Sequence, residues 1–167
     1  VTQVPSIGQV LTAAGAAVVA GSVLAPSDLP GLSYLPPADY DGQTAVAPFT
    51  YSVTNGTSSA SGSTQISLAA VNDAPVAAAD SVSTVGSAPV TVAVLANDGD
   101  ADGDALSLAG ASVDPALGSV VVNADGSLTF TAAPGVSGNV AIAYSVSDGQ
   151  GGSASSTLTV SVASTAT

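Results

Sequence analysis

Ser119-Val120-Val121-Val122-Asn123-Ala124-Asp125-Gly126-Ser127-Leu128-Thr129-Phe130-Thr131 reads as two strands joined by a tight turn. Leu128 and Phe130 alternate with Ser127, Thr129 and Thr131, the two-residue period of a strand with one buried face. Asn123-Ala124-Asp125-Gly126 supplies turn-forming residues between the two runs. Outward from this hairpin, the same alternation and punctuation predict strands near 76–84, 89–95, 106–113, 118–123, 127–131, 140–147 and 154–163. Short strands at this spacing, without helical periodicity between them, define an all-β sandwich.

The pattern recurs earlier in the chain. Leu32 to Gly42 lines up with Leu128 to Gly138, and Phe49-Thr50-Tyr51-Ser52-Val53-Thr54-Asn55-Gly56 with Ile142-Ala143-Tyr144-Ser145-Val146-Ser147-Asp148-Gly149. Alternating strands follow at Ser63 to Leu68 and at Thr157 to Val162. The offset, about 92–96 residues, is the size of one sandwich. The boundary falls at Val71-Asn72-Asp73-Ala74-Pro75, where Pro75 favours an extended linker. This predicts a partial module over 1–72 and a complete one over 73–167. By the same offset residue 1 falls inside a module, two or three strands past its start. The chain is then either a piece of a longer polypeptide or a subunit whose missing strands come from another chain.

Composition narrows the function. The chain has no Lys, Arg or His, and its 12 acidic residues are all Asp, giving a formal charge of −12. Without basic groups it has no means of neutralising phosphates, which excludes nucleic acid as a partner. An anionic membrane surface repels it, and the apolar run from Ala13 to Pro26 is too short for membrane insertion. The 46% apolar content is mostly Ala and Val, with 4% aromatics, which predicts a thin core. No cysteine is present to staple it. Bound metal is the remaining device for a small domain.

The segments Asn72-Asp73-Ala74-Pro75, Leu95-Ala96-Asn97-Asp98 through Asp104, Asn123-Ala124-Asp125-Gly126 and Tyr144-Ser145-Val146-Ser147-Asp148-Gly149, in this order, resemble the cadherin-like tandem repeats of giant bacterial adhesins. In the first module Gly21-Ser22-Val23-Leu24 and Ser27-Asp28-Leu29 resemble the stretch that precedes the strand at Leu32. The resemblance implies tandem cadherin-like or immunoglobulin-like Greek-key sandwiches, the first one incomplete. It further implies type I secretion, RTX-type calcium repeats elsewhere in the protein, and a place on the bacterial cell surface.

The main site candidate is Asn97-Asp98-Gly99-Asp100-Ala101-Asp102-Gly103-Asp104. Four carboxylates stand at every second residue. Like charges about 4 Å apart repel by roughly 1 kcal/mol in water and about 4 kcal/mol at an effective dielectric near 20. A loop that holds Asp98, Asp100, Asp102 and Asp104 together calls for a hard cation. Ca²⁺ takes about six to eight oxygen ligands, whereas zinc favours the absent His and Cys. An EF-hand is excluded: Ala109 stands where its bidentate Glu belongs, and no helix brackets the loop. The resemblance implies that Asn72 and Asp73 join the ligands, together with Asp98 to Asp104 or Asp41. Asp80 and Asp148 complete the candidate set. Asp39, Asp41, Asp114 and Asp125 read as loop and turn residues, and Tyr34, Tyr51, Phe130 and Tyr144 as core anchors.

Catalysis lacks its reagents. Without His, Cys, Lys or Glu no Ser–His, Cys–His or lysine nucleophile is built within the chain, so no enzyme is expected. The expected function is a calcium-stiffened extender repeat of a surface adhesin, in contact with neighbouring repeats. The competing reading is a subunit of an extracellular filament or surface layer, assembled with identical subunits by strand complementation.

Overall fold

A computed structural model describes residues 1–40, 42 and 45–165. The chain divides into two compact units, Val1–Val71 and Asn72–Thr167. The division falls one residue before the boundary expected from Pro75.

The second unit contains seven strands: β6 Asp80–Val85, β7 Val90–Val92, β8 Ser107–Ser112, β9 Gly118–Val122, β10 Leu128–Ala132, β11 Gly138–Ser147 and β12 Ser153–Ala163. They form two sheets of order β7-β10-β9 and β6-β12-β11-β8. Alternation determines which side chains meet between the sheets. Val140, Ile142, Tyr144 and Val146 of β11, Leu158, Val160 and Val162 of β12, and Leu128, Phe130 and Ala132 of β10 are all buried. With Val94 they make one core, rich in Val and with Phe130 and Tyr144 as its aromatic members. The hairpin turn closes as expected: Asn123 N–H donates to Ser127 O at 2.9 Å, and Gly126 adopts φ 82°. The first strand is shorter than expected. Residues 76–79 run outside it, where Val76 makes an isolated bridge to Gly99. β6 then lies parallel to β12, pairing Asp80 with Leu158 through Val85 with Ala163.

The first unit contains β1 Gln9–Leu11, β2 Ala17–Val18, β3 Ser33–Leu35, β4 Phe49–Thr54 and β5 Ser59–Thr64. Two of its pairings, β4 with β5 and β1 with β3, repeat β11 with β12 and β9 with β10 of the second unit in register. Phe49 faces Thr64 and Val53 faces Ala60, as Ile142 faces Leu158 and Val146 faces Ala154. Tyr34 faces Val10 as Phe130 faces Val120. β1 is therefore the counterpart of β9, and Ile7-Gly8-Gln9-Val10 matches Leu117-Gly118-Ser119-Val120. Gly21 to Leu24, expected ahead of the strand at Leu32, does precede β3 and lies outside any strand. Residues 12–32, including β2, stand where the short Asn123–Gly126 turn joins β9 to β10, so the constant offset fails there.

Both counterpart glycines are required by close approach. A Cβ on Gly8 would meet the Tyr34 ring and the Leu35 carbonyl; one on Gly118 would meet the Phe130 ring and the Thr131 carbonyl.

Two further expectations are corrected. The strand read at Ser63 to Leu68 lies earlier, at Ser59–Thr64, and residues 65–71 are not in a strand. Tyr51, read as a core anchor, is 37% exposed, against 2% for its counterpart Tyr144.

Candidate metal centre

The acidic loop follows a 3-10 turn at Val94–Asn97 and leads into β8. Its entry is fixed by the mutual backbone bonds of Gly99 and Val76, 2.7 and 3.0 Å. Its turn is fixed by Gly103, with φ 77°, whose N–H donates to Asp100 O at 3.3 Å. Among the described residues, Asp100, Asp102 and Asp104 bring carboxylate oxygens to within 4.8 Å of one another.

Backbone N–H groups hold one oxygen of each loop carboxylate except Asp104. Asp98 Oδ1 accepts from Ala78 N–H at 2.8 Å. Asp100 Oδ1 accepts from the N–H groups of Asp102 and Asp104, at 2.9 and 3.2 Å. Asp102 Oδ2 accepts from Asp73 N–H at 2.6 Å. The opposite oxygens, Asp98 Oδ2, Asp100 Oδ2 and Asp102 Oδ1, are buried with no hydrogen-bond partner. Such oxygens are costly unless a proton or cation meets them. Desolvation, followed by the charges of Asp100, Asp102 and Asp148, pushes the Asp104 carboxyl above its ordinary range. Like charges gathered within 4.8 Å repel one another, and the repulsion falls when a cation sits between them. The donor set is all oxygen, which suits a hard divalent cation.

The other candidates are placed differently. Asn72 gives its side-chain Nδ2–H to Asp148 Oδ2 at 2.8 Å, and Asp73 reaches the loop through its backbone N–H. Asp148 is buried and already saturated. Its Oδ1 accepts from the N–H groups of Gln150, Gly151 and Gly152 at 2.8–3.0 Å. The Asn72 bond, ahead of these backbone bonds, holds its carboxyl below the usual range. Asp80 Oδ2 accepts from the Tyr144 hydroxyl at 2.8 Å, a proton shared with Ala78 O at 2.6 Å. Thus Asp100, Asp102 and Asp104 are gathered, Asp98 keeps one oxygen on Ala78 N–H and the other buried without a partner, and Asp80 and Asp148 are engaged in hydrogen bonds of their own. Asp41 lies outside the described residues.

Asn55, the counterpart of Asp148, does a similar local job. Its Oδ1 accepts from Thr57 and Ser58 N–H at 3.0 and 2.8 Å. One contributor had gone unread in the sequence. Gly152 lets Asp148 close over its own turn, since a Cβ there would strike Asp148 Oδ2 and come within 3.0 Å of Ala74 Cα. The Gly151-Gly152 pair after Asp148 was the signal.

This chain belongs to the bacterial Ig domain family, whose profile matches residues 72–161. No curated protein matches it. Among solved structures it is similar to a nucleoside hydrolase-related protein from Saccharophagus degradans associated with carbohydrate metabolism. That likeness has TM-score 0.44 and 18% identity over 56% of this chain and 26% of that one. It is also similar to two endo-fucoidan hydrolases of glycoside hydrolase family 107. MfFcnA4 gives TM-score 0.42 and 19% identity over 81% of this chain and 20% of that one. MfFcnA9 gives 0.35 and 16% over 95% and 26%. The chain spans about a quarter or less of the length of each.

Proposed function

We propose that this chain is a non-catalytic extender segment of a secreted bacterial surface protein, with its second unit stiffened by Ca²⁺ at the 98–104 loop. The observation that carries this reading is the set of three buried carboxylate oxygens without partners, on Asp98, Asp100 and Asp102. Those residues and Asp104 would hold the ion, which when bound neutralises the loop's mutual repulsion. The loop also grips Asp73 at the start of the unit, so ordering it fixes the direction in which the chain enters the sandwich. With no Lys or Arg in the chain, the counter-charge comes from solution. An adhesin stalk is the setting that the resemblance implies, and neighbouring repeats are its partners.

Thermal unfolding in 10 mM CaCl₂ and in EDTA tests this. A site a hundredfold above its Kd adds about 2.7 kcal/mol to the stability of the unit. Equal melting temperatures in the two buffers reject the metal role.

A further inference from the structure

Residues 72–79 lead into β6 as a strap, in no strand of their own. The strap's N–H groups at Asp73, Val76 and Ala78 all end on the acidic loop. Their acceptors are Asp102 Oδ2, Gly99 O and Asp98 Oδ1, at 2.6, 2.7 and 2.8 Å. Gly99 N–H returns to Val76 O at 3.0 Å, and Asn97 Nδ2–H donates to Ala79 O at 3.3 Å.

Apolar burial holds the strap only lightly. Pro75 is buried and Ala77 packs against the core, while Val76 is 71% exposed. Two bonds reach the strap from outside the loop. Asn72 Nδ2–H donates to Asp148 Oδ2 at 2.8 Å, and the Tyr144 hydroxyl to Ala78 O at 2.6 Å. Between those two points the strap's backbone donors depend on the shape of the loop.

Two of the three acceptors belong to carboxylates proposed above as ligands. Asp98 and Asp102 each give one oxygen to the strap and keep the other buried without a partner. An ion on the free oxygens and the strap on the opposite ones thus grip the same two side chains. Without the ion, the charges gathered within 4.8 Å push the loop apart, and the strap's acceptors move with it.

We infer, resting on the calcium reading above, that the ion governs the strap. Residues 73–78 dock when the loop is loaded and open locally when it is empty, while the sandwich stays folded. Linkage makes the coupling reciprocal, so the docked strap tightens the ion by the same factor.

Amide hydrogen exchange, read residue by residue on the full chain in CaCl₂ and in EDTA, is the test, with melting temperatures taken on the same samples. The N–H groups of Asp73, Val76 and Ala78 should exchange at least tenfold faster in EDTA. Those of β11, β12 and Gln150 to Gly152 should keep their rates. Val76→Pro removes the donor to Gly99 O without touching a proposed ligand. It should lower the calcium affinity about fivefold or more by calorimetry, with the circular dichroism spectrum unchanged. Calcium that raises the melting temperature but leaves the three strap amides alike in both buffers overturns the gating and leaves the ion site standing. Faster exchange of every amide in EDTA assigns the effect to the whole unit and overturns the gating too. An unchanged affinity in folded V76P overturns the reciprocal coupling. Equal melting and equal exchange in the two buffers reject the ion and the gating together.

Discussion

The backbone N–H of Asp73 donates to one oxygen of Asp102 at 2.6 Å, and the other oxygen of that carboxylate is buried without a partner. The first residues of the second unit are thus tied to a group whose charge is only half satisfied. One oxygen serves the backbone, and the other is left for the cation proposed above.

Asp102→Asn makes the separation measurable. The amide oxygen still accepts from Asp73 N–H, but one negative charge leaves the cluster. In EDTA the variant should melt at or above the wild-type temperature, because repulsion falls. In 10 mM CaCl₂ it should melt lower and lose most of the calcium-dependent gain of about 2.7 kcal/mol. Calorimetry of both proteins in both buffers checks the crossing of the two effects.

Gly152→Ala should destabilise the second unit by about 1–3 kcal/mol, the cost of forcing a methyl group into a filled site. The added Cβ meets the Asp148 carboxylate and the Ala74 backbone, which displaces the Asn72 contact as well. Denaturant unfolding gives the number, and a neutral result would show that the Asp148 turn is free to open.

Gly8→Ala and Gly118→Ala should each weaken their own unit by about 2 kcal/mol or more, because each Cβ collides with an aromatic ring and a carbonyl. Both glycines also stand at positive φ, 70° for Gly8 and 156° for Gly118, which adds a backbone cost to each change. Hydrogen exchange resolved by unit should show the loss in β1 and β3 for the first variant, and in β9 and β10 for the second.

Tyr144 sets an alkaline limit. Burial, then the bond to Asp80, pushes its hydroxyl up to about 12 from 10.0. The folded state therefore favours the protonated phenol. The stabilisation is complete below pH 10 and is lost as pH rises through about 12, amounting to roughly 2–3 kcal/mol. Tyr144→Phe should remove this alkaline dependence and cost about 1–2 kcal/mol at neutral pH by leaving Asp80 and Ala78 O without their donor. Ultraviolet titration at the phenolate band, alongside urea unfolding at pH 8 to 11.5, reads both.

Much of the second unit was legible because its strands carry their own signal. Leu128, Phe130, Val140, Ile142, Leu158 and Val160 alternate with polar residues, and Gly and Asp mark the turns. The first unit was less legible for a physical reason. Its alternating residues 65–68 have no partner strand, and local pattern does not make a strand without pairing. The segment 12–32 broke the constant repeat offset and hid the match between Ile7-Gly8-Gln9-Val10 and Leu117-Gly118-Ser119-Val120. At the candidate site, the crowding of Asp100, Asp102 and Asp104 followed from spacing alone. The roles of Asp80 and Asp148 did not, because they depend on Tyr144 and Asn72, which lie 64 and 76 residues away.

The parallel pairing of β6 with β12 has a mechanical consequence. These are the first and last strands of the second unit, and they run the same way over six paired positions, Asp80–Leu158 to Val85–Ala163. Tension applied to the two ends of the unit pulls these strands past each other along their length. Every rung of that ladder then bears load at once, in shear, instead of opening one at a time like a zipper. A unit pulled by its two ends would meet its greatest resistance there.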